Sequence, residues 1–163
     1  MANAIAFRSR RRRRFIVEPR SIAAALVLAI VLAAGYVVSN DSPAEAIDSV
    51  AFAMCSSPPH TDCVIDGDTF YLGDQSIRVA DIDTPETYQP QCRYEADLGA
   101  RATRRFLQLL NDGPFELHAW GSRDEDQYGR KLRTVSRNGR SLGLILVDEG
   151  LARQWTGSRQ PWC

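Results

Sequence analysis

Apolar and polar positions follow two different periods between residues 60 and 163. Residues 62–66 and 68–72 are short β-branched and aromatic runs on either side of Asp66-Gly67-Asp68. "SIRVADI" (76–82) sets Ile77, Val79 and, less strictly, Ile82 against polar partners, and the intervening "LGDQS" is turn chemistry. The three runs predict a curling antiparallel meander. From Gln91 the period lengthens to three or four: Tyr94, Leu98, Ala102, Phe106 and Leu109 or Leu110 recur until "NDG" (111–113) stops them. That spacing predicts an amphipathic helix of about 18 residues. "PFELHAW" (114–120) alternates again, "SRDEDQYGR" is a polar connection, and "KLRTVSR" is a further strand ending at Asn138-Gly139. Ser141 is placed to cap a last helix, with Leu142, Ile145 and Leu146 as its stripe and Gly150 as its stop.

Five strands with a helix inserted after the third predict an α+β domain built on a five-stranded, partly open Greek-key barrel of the OB type. Upstream the patterning is different. Residues 1–20 carry seven arginines against Glu18, a charge of +6, and residues 21–38 carry no charge at all. An apolar span of that length just crosses a hydrocarbon core, and the arginines before it keep the N-terminus inside. Two export readings stay open. One is a retained signal-anchor that ties the chain to the inner membrane. The other is a signal peptide cleaved near Ala46, where "AEA" (44–46) presents small residues. Residues 39–59, with three prolines, read as a linker, which leaves 60–163 as one domain.

Whole-chain neutrality therefore hides an acidic remainder of −6, thirteen basic against nineteen acidic side chains. Such a domain is no general polyanion trap. From Arg130 onward six arginines and Lys131 face only Asp148 and Glu149, which suggests a basic side there. The four cysteines, Cys55, Cys63, Cys92 and Cys163, favour disulfides in an exported domain, with Cys55–Cys63 and Cys92–Cys163 as one pairing. A zinc site on Cys55, His60 and Cys63 is the rival, without a standard ligand spacing.

With only His60 and His118, histidine-based nucleophile systems are improbable. Carboxylates and arginines are the available chemistry, and they suit a hard cation and an anionic substrate. "RVADIDTPET" (78–87) crowds Arg78, Asp81, Asp83 and Glu86. On its own, Asp83 to Glu86 reads as a helix start of the capping-box kind. Likewise "DGDT" (66–69) and "YGR" (128–130) are each ordinary corners, Gly67 serving a tight backbone turn.

The three stretches occur in order, with Arg78 five residues before Asp83, and "LVDEGLAR" (146–153) follows. In this combination the chain from Cys63 to Trp155 resembles the staphylococcal nuclease (thermonuclease) family. The resemblance implies that Asp68, Asp83 and the Thr84 carbonyl bind one Ca²⁺, with Asp66 and Glu86 behind it through water. Glu86 is then the base for the attacking water, and Arg78 and Arg130 hold the scissile phosphate. Tyr128 touches the phosphate side. The implied reaction is hydrolysis of DNA and RNA to 3′-phosphate ends by a monomer. Two departures stand out: Gln127 replaces a lysine, and the tyrosines of the nucleotide pocket have no match, leaving Trp155 to stack on a base or to fill the core. The alternatives are a non-catalytic nucleic-acid- or protein-binding module, and an envelope scaffold whose acids bind no metal.

Overall fold

The computed structural model describes residues 44–48 and 50–163. The basic segment 1–20 and the apolar segment 21–38 lie outside the described residues, and among those described no helix is long and apolar enough to cross a membrane.

The meander forms as patterned: β3 (Cys63–Asp66), β4 (Thr69–Leu72) and β5 (Gln75–Val79) pair antiparallel in sequence. A helix, α1 (Arg93–Asn111), leads to β7 (Phe115–Ala119), which pairs antiparallel with β8 (Lys131–Arg137). β8 returns parallel to β5, with Arg78 opposite Leu132. The five main strands thus run β3-β4-β5-β8-β7, a curled mixed sheet that fits an OB-like barrel, and β9 (Arg140–Ser141) extends β8. The second helix, α2 (Leu142–Asp148), begins where expected, with the Ser141 hydroxyl accepting from the Leu144 N–H at 3.1 Å.

Two expectations are corrected in detail. Residues read as linker also build the sheet: β1 (Glu45–Ile47, which contains Ala46) pairs with β7, and β2 (Ala53–Met54) runs parallel to β3. Ile47 and Phe52 enter the core, and the Phe52 N–H and C=O are both met by the Asn111 amide. On α1 the stripe is shifted at its start: Tyr94 is exposed and Glu95 is buried, while Leu98, Ala102, Phe106, Leu109 and Leu110 pack as patterned. Phe70 is the hub of this core, edge-on to Phe52 and Phe106 with centroids 5.8 and 5.7 Å away.

Both disulfides form, Cys55–Cys63 and Cys92–Cys163. The Sγ atoms of Cys55 and Cys63 do approach His60. They are bonded to each other, so no thiolates are left for the zinc alternative.

Candidate active site

The "DGDT" corner links β3 to β4, and two packing contacts place it. A Cβ on Gly67 would meet the Ala102 Cβ and the Thr84 Cγ2, both at 2.9 Å. Gly67 is thus required by the approach of α1 and the 84–92 loop, and not by a left-handed turn. The corner's hydrogen bonds then fix two carboxylates. Asp66 Oδ1 accepts the Asp68 N–H at 3.0 Å. Asp68 Oδ2 accepts the Thr84 N–H at 3.0 Å and the Thr84 hydroxyl at 2.9 Å, so it is stitched to the second motif sixteen residues on.

β6 (Ile82–Asp83) pairs with β10 (Arg153–Gln154), Asp83 opposite Arg153, and the chain then leaves regular structure. No helix starts at Asp83; α1 begins only at Arg93, so the capping-box reading fails. The loop between is held from below by Glu95, whose buried carboxylate accepts the Gln91 N–H at 2.6 Å and the Glu86 N–H at 3.5 Å. Gly99 lets α1 pass close beneath, since a Cβ there would lie 2.8 Å from the Pro85 carbonyl. This packing sets the position of Glu86.

Arg78 lies on β5, buried, between the two acidic motifs. Its guanidinium donates to the Val79 and Ile82 carbonyls, and it stands 3.2 Å from Asp68 Oδ2 and 3.8 Å from Asp83 Oδ1. Arg130 comes from the neighbouring strand, at the end of the 120–130 loop just before β8, which pairs with β5. Asp126 organises that loop: it accepts the Tyr128 and Arg130 N–H groups at 2.9 and 3.1 Å and the Arg130 Nε at 2.7 Å. Burial alone would raise Asp126, but the hydrogen bonds from Arg130 and Tyr128 hold it below the usual carboxylate range. Gly129 takes the left-handed conformation that this corner needs, at φ 75°. Arg130 also reaches the Thr69 hydroxyl at 3.3 Å and sits over the Tyr128 ring at 5.4 Å.

These groups line one open groove of about 810 Å³. Asp66, Asp68, Arg78, Glu86, Tyr128, Arg130 and Trp155 all face it. Asp83 and Thr84 are buried and do not line it: Asp83 stands behind Arg78 and Arg159, and Thr84 is bonded to Asp68. Trp155 is anchored by its N–H to the Asp81 carbonyl at 2.8 Å. Trp120 and Arg123 also line the groove and were not foreseen, and Arg159 does so from the arginine-rich stretch after Arg130; none lies in a motif, and the folded loop and tail bring them in. The arginine-rich stretch after Arg130 does not form one basic face. Arg133 pairs with Asp124, Arg140 with Asp148, and Arg137 donates to the Leu109, Gly113 and Pro114 carbonyls.

Like charges are unbalanced among the acids. Burial, then the charge of Asp68, pushes Asp66 up to about 7. Burial likewise raises Asp83 against the opposing charge of Arg159, and Asp83 Oδ1 has no hydrogen-bond partner. Oxygen donors left in this state fit a hard divalent cation. The cluster is loose: among the described residues only Cys55, His60 and Cys63 bring three ligand atoms within 4.8 Å of one another.

The family model for staphylococcal nuclease homologues matches residues 76–161. Endonuclease YncB of Bacillus subtilis (strain 168) is 38% identical over 96 residues, covering 56% of this chain and 45% of its own length. The SPbeta prophage-derived endonuclease YokF of the same strain is 38% identical over 96 residues, 56% of this chain and 32% of its own. A thermonuclease of Staphylococcus intermedius is 32% identical over 94 residues, 55% of each chain. The matched region thus spans between a third and just over half of these relatives. The matched residues include Arg78, Asp83, Glu86 and Arg130, and this chain belongs to the staphylococcal nuclease family.

Proposed function

We propose that this chain hydrolyses phosphodiester bonds in DNA and RNA without regard to the sugar, in a calcium-dependent reaction leaving 3′-phosphate ends. The carrying observation is the convergence of Arg78, Arg130, Glu86 and Asp68 on one groove, with the buried Asp83 beside Arg78. Asp68, Asp83 and the Thr84 carbonyl would hold Ca²⁺, with Asp66 and Glu86 behind; when bound, the ion supplies Lewis-acid polarisation of a phosphoryl oxygen. Arg78 and Arg130 bind the phosphate and stabilise the charge that grows on its equatorial oxygens. Glu86 orients the attacking water and takes its proton, work a carboxylate does without histidine. Tyr128 contacts the phosphate side, and Trp155 and Trp120 offer aromatic faces to bases.

We further infer that the domain works outside the cytoplasm, anchored by residues 21–38 or released near Ala46, the second at the cost of cutting β1. The basic N-terminal segment, the uncharged span and the two disulfides support this. The test of activity is digestion of plasmid DNA and of RNA in Ca²⁺ and in EDTA. Cleavage in Ca²⁺ alone is expected. Binding of nucleic acid without cleavage in either would favour the non-catalytic module.

A further inference from the structure

Arg159 reaches the groove from the tail after β10. Its Nη1 pairs with Glu86 Oε1, and its Nε lies 3.7 Å from Asp83 Oδ1, while the side chain remains 52% exposed at the rim. The segment that carries it is pinned on both sides. Before it, the Trp155 N–H is bonded to the Asp81 carbonyl. After it, Arg153 stacks on the Trp162 ring at 3.8 Å and donates to the Gln160 and Pro161 carbonyls. Cys163 is bonded to Cys92, the residue that opens α1. A long side chain on a free tail would lose its rotamer and backbone freedom on binding; here that ordering is done in advance.

We propose that Arg159 joins Arg78 and Arg130 as a substrate-positioning residue that exchanges Glu86 for a phosphate of the bound nucleic acid, and that the Cys92–Cys163 bridge keeps it within reach. The inference rests on the nuclease reading. An ion pair at a half-exposed rim is weak and screened, so a phosphodiester entering beside Arg78 and Arg130 competes for the same fork. The exchange has a second consequence: it frees Glu86 from its cation at the moment that a proton acceptor is needed. The site would thereby hold its base paired until substrate arrives.

The experiment uses the full, disulfide-intact chain on a single-stranded DNA oligonucleotide over a series of salt concentrations. Arg159→Ala should raise KM about tenfold. It should also lower the magnitude of the slope of log KM against log salt by about 0.7, one lost phosphate contact on a single strand. Arg159→Lys should restore the slope and only part of the affinity. A Cys92→Ser, Cys163→Ser double variant should behave as Arg159→Ala does. Unchanged KM and slope in Arg159→Ala would overturn the proposal, and so would a higher kcat at unchanged KM, which would make the residue an inhibitory cap. The same salt series, read by anisotropy of a labelled oligonucleotide in EDTA, tests the contact without cleavage. Failure of the parent chain to cleave would thus strike the nuclease reading alone.

Discussion

Arg78 and Arg130 reach the groove from neighbouring strands, and the protein holds them in different ways. Arg78 is buried in β5 and bonded to two main-chain carbonyls, with two acids beside it. Its charge is part of the core's own balance. Arg130 sits on a corner built by Asp126, in a loop whose neighbouring ion pairs, Lys131 with Asp124 and Glu125, are partly exposed. The difference teaches that one arginine is fixed by the barrel and the other by a local turn. Loss of the first harms fold and site together, while loss of the second harms the site.

Arg78→Ala should break that comparison most visibly. Removing the partner of two buried acids costs about 3–5 kcal/mol in urea unfolding, on top of a rate loss of about 10²- to 10³-fold. Arg130→Ala should show a rate loss of about the same size with stability changed by less than about 1 kcal/mol, checked by the same unfolding curve. Gly99→Ala moves to the helix side of the groove. Its Cβ would press on the Pro85 and Glu86 carbonyls. It should destabilise by about 1–3 kcal/mol and lower the rate by displacing Glu86. Asp126→Asn sharpens the other side: the corner keeps its amide acceptor but loses the charged pair, and the rate should fall about tenfold with little change in unfolding.

The smallest effect is on pH dependence. Burial, and next the charge of Asp68, push Asp66 up to about 7, above its ordinary value. A carboxyl raised on folding contributes stability below its unfolded pKa and loses it as pH climbs through the folded value. Stability in EDTA should therefore decline between about pH 4 and pH 8. Asp66→Asn should flatten that decline, because the amide does not titrate while its oxygen still accepts the Asp68 N–H. A pH profile identical in the variant would show that Asp66 carries no such strain.

What was legible in the sequence was local. Strand alternation, the Ser141 cap and the order of the two acidic motifs and the Tyr-Gly-Arg corner each depend on neighbours within about ten residues. The five-strand barrel followed from those. What escaped depends on distant approach. Gly67 looked like a turn glycine, and its real constraint is Ala102, thirty-five residues on. Glu95 was hidden by a helical stripe that assigned Tyr94 to the core, since periodicity cannot tell a carboxylate that caps a loop from one in solvent. β1 and β2 escaped because strands of two and three residues carry too little pattern to separate from a linker. Arg159 sits in a tail whose course is set by a disulfide, and no periodicity describes that.

The central claim is that this groove cleaves phosphodiesters with Glu86 as the base. The most direct measurement is single-turnover cleavage of a labelled DNA oligonucleotide in Ca²⁺ by the full chain and by Glu86→Gln, which keeps the shape and loses the proton acceptor. The account predicts cleavage by the parent, abolished by EDTA, and a rate lower by about 10²- to 10⁴-fold in the variant with its unfolding midpoint retained. Equal rates for the two proteins, or no cleavage by the parent, would contradict it.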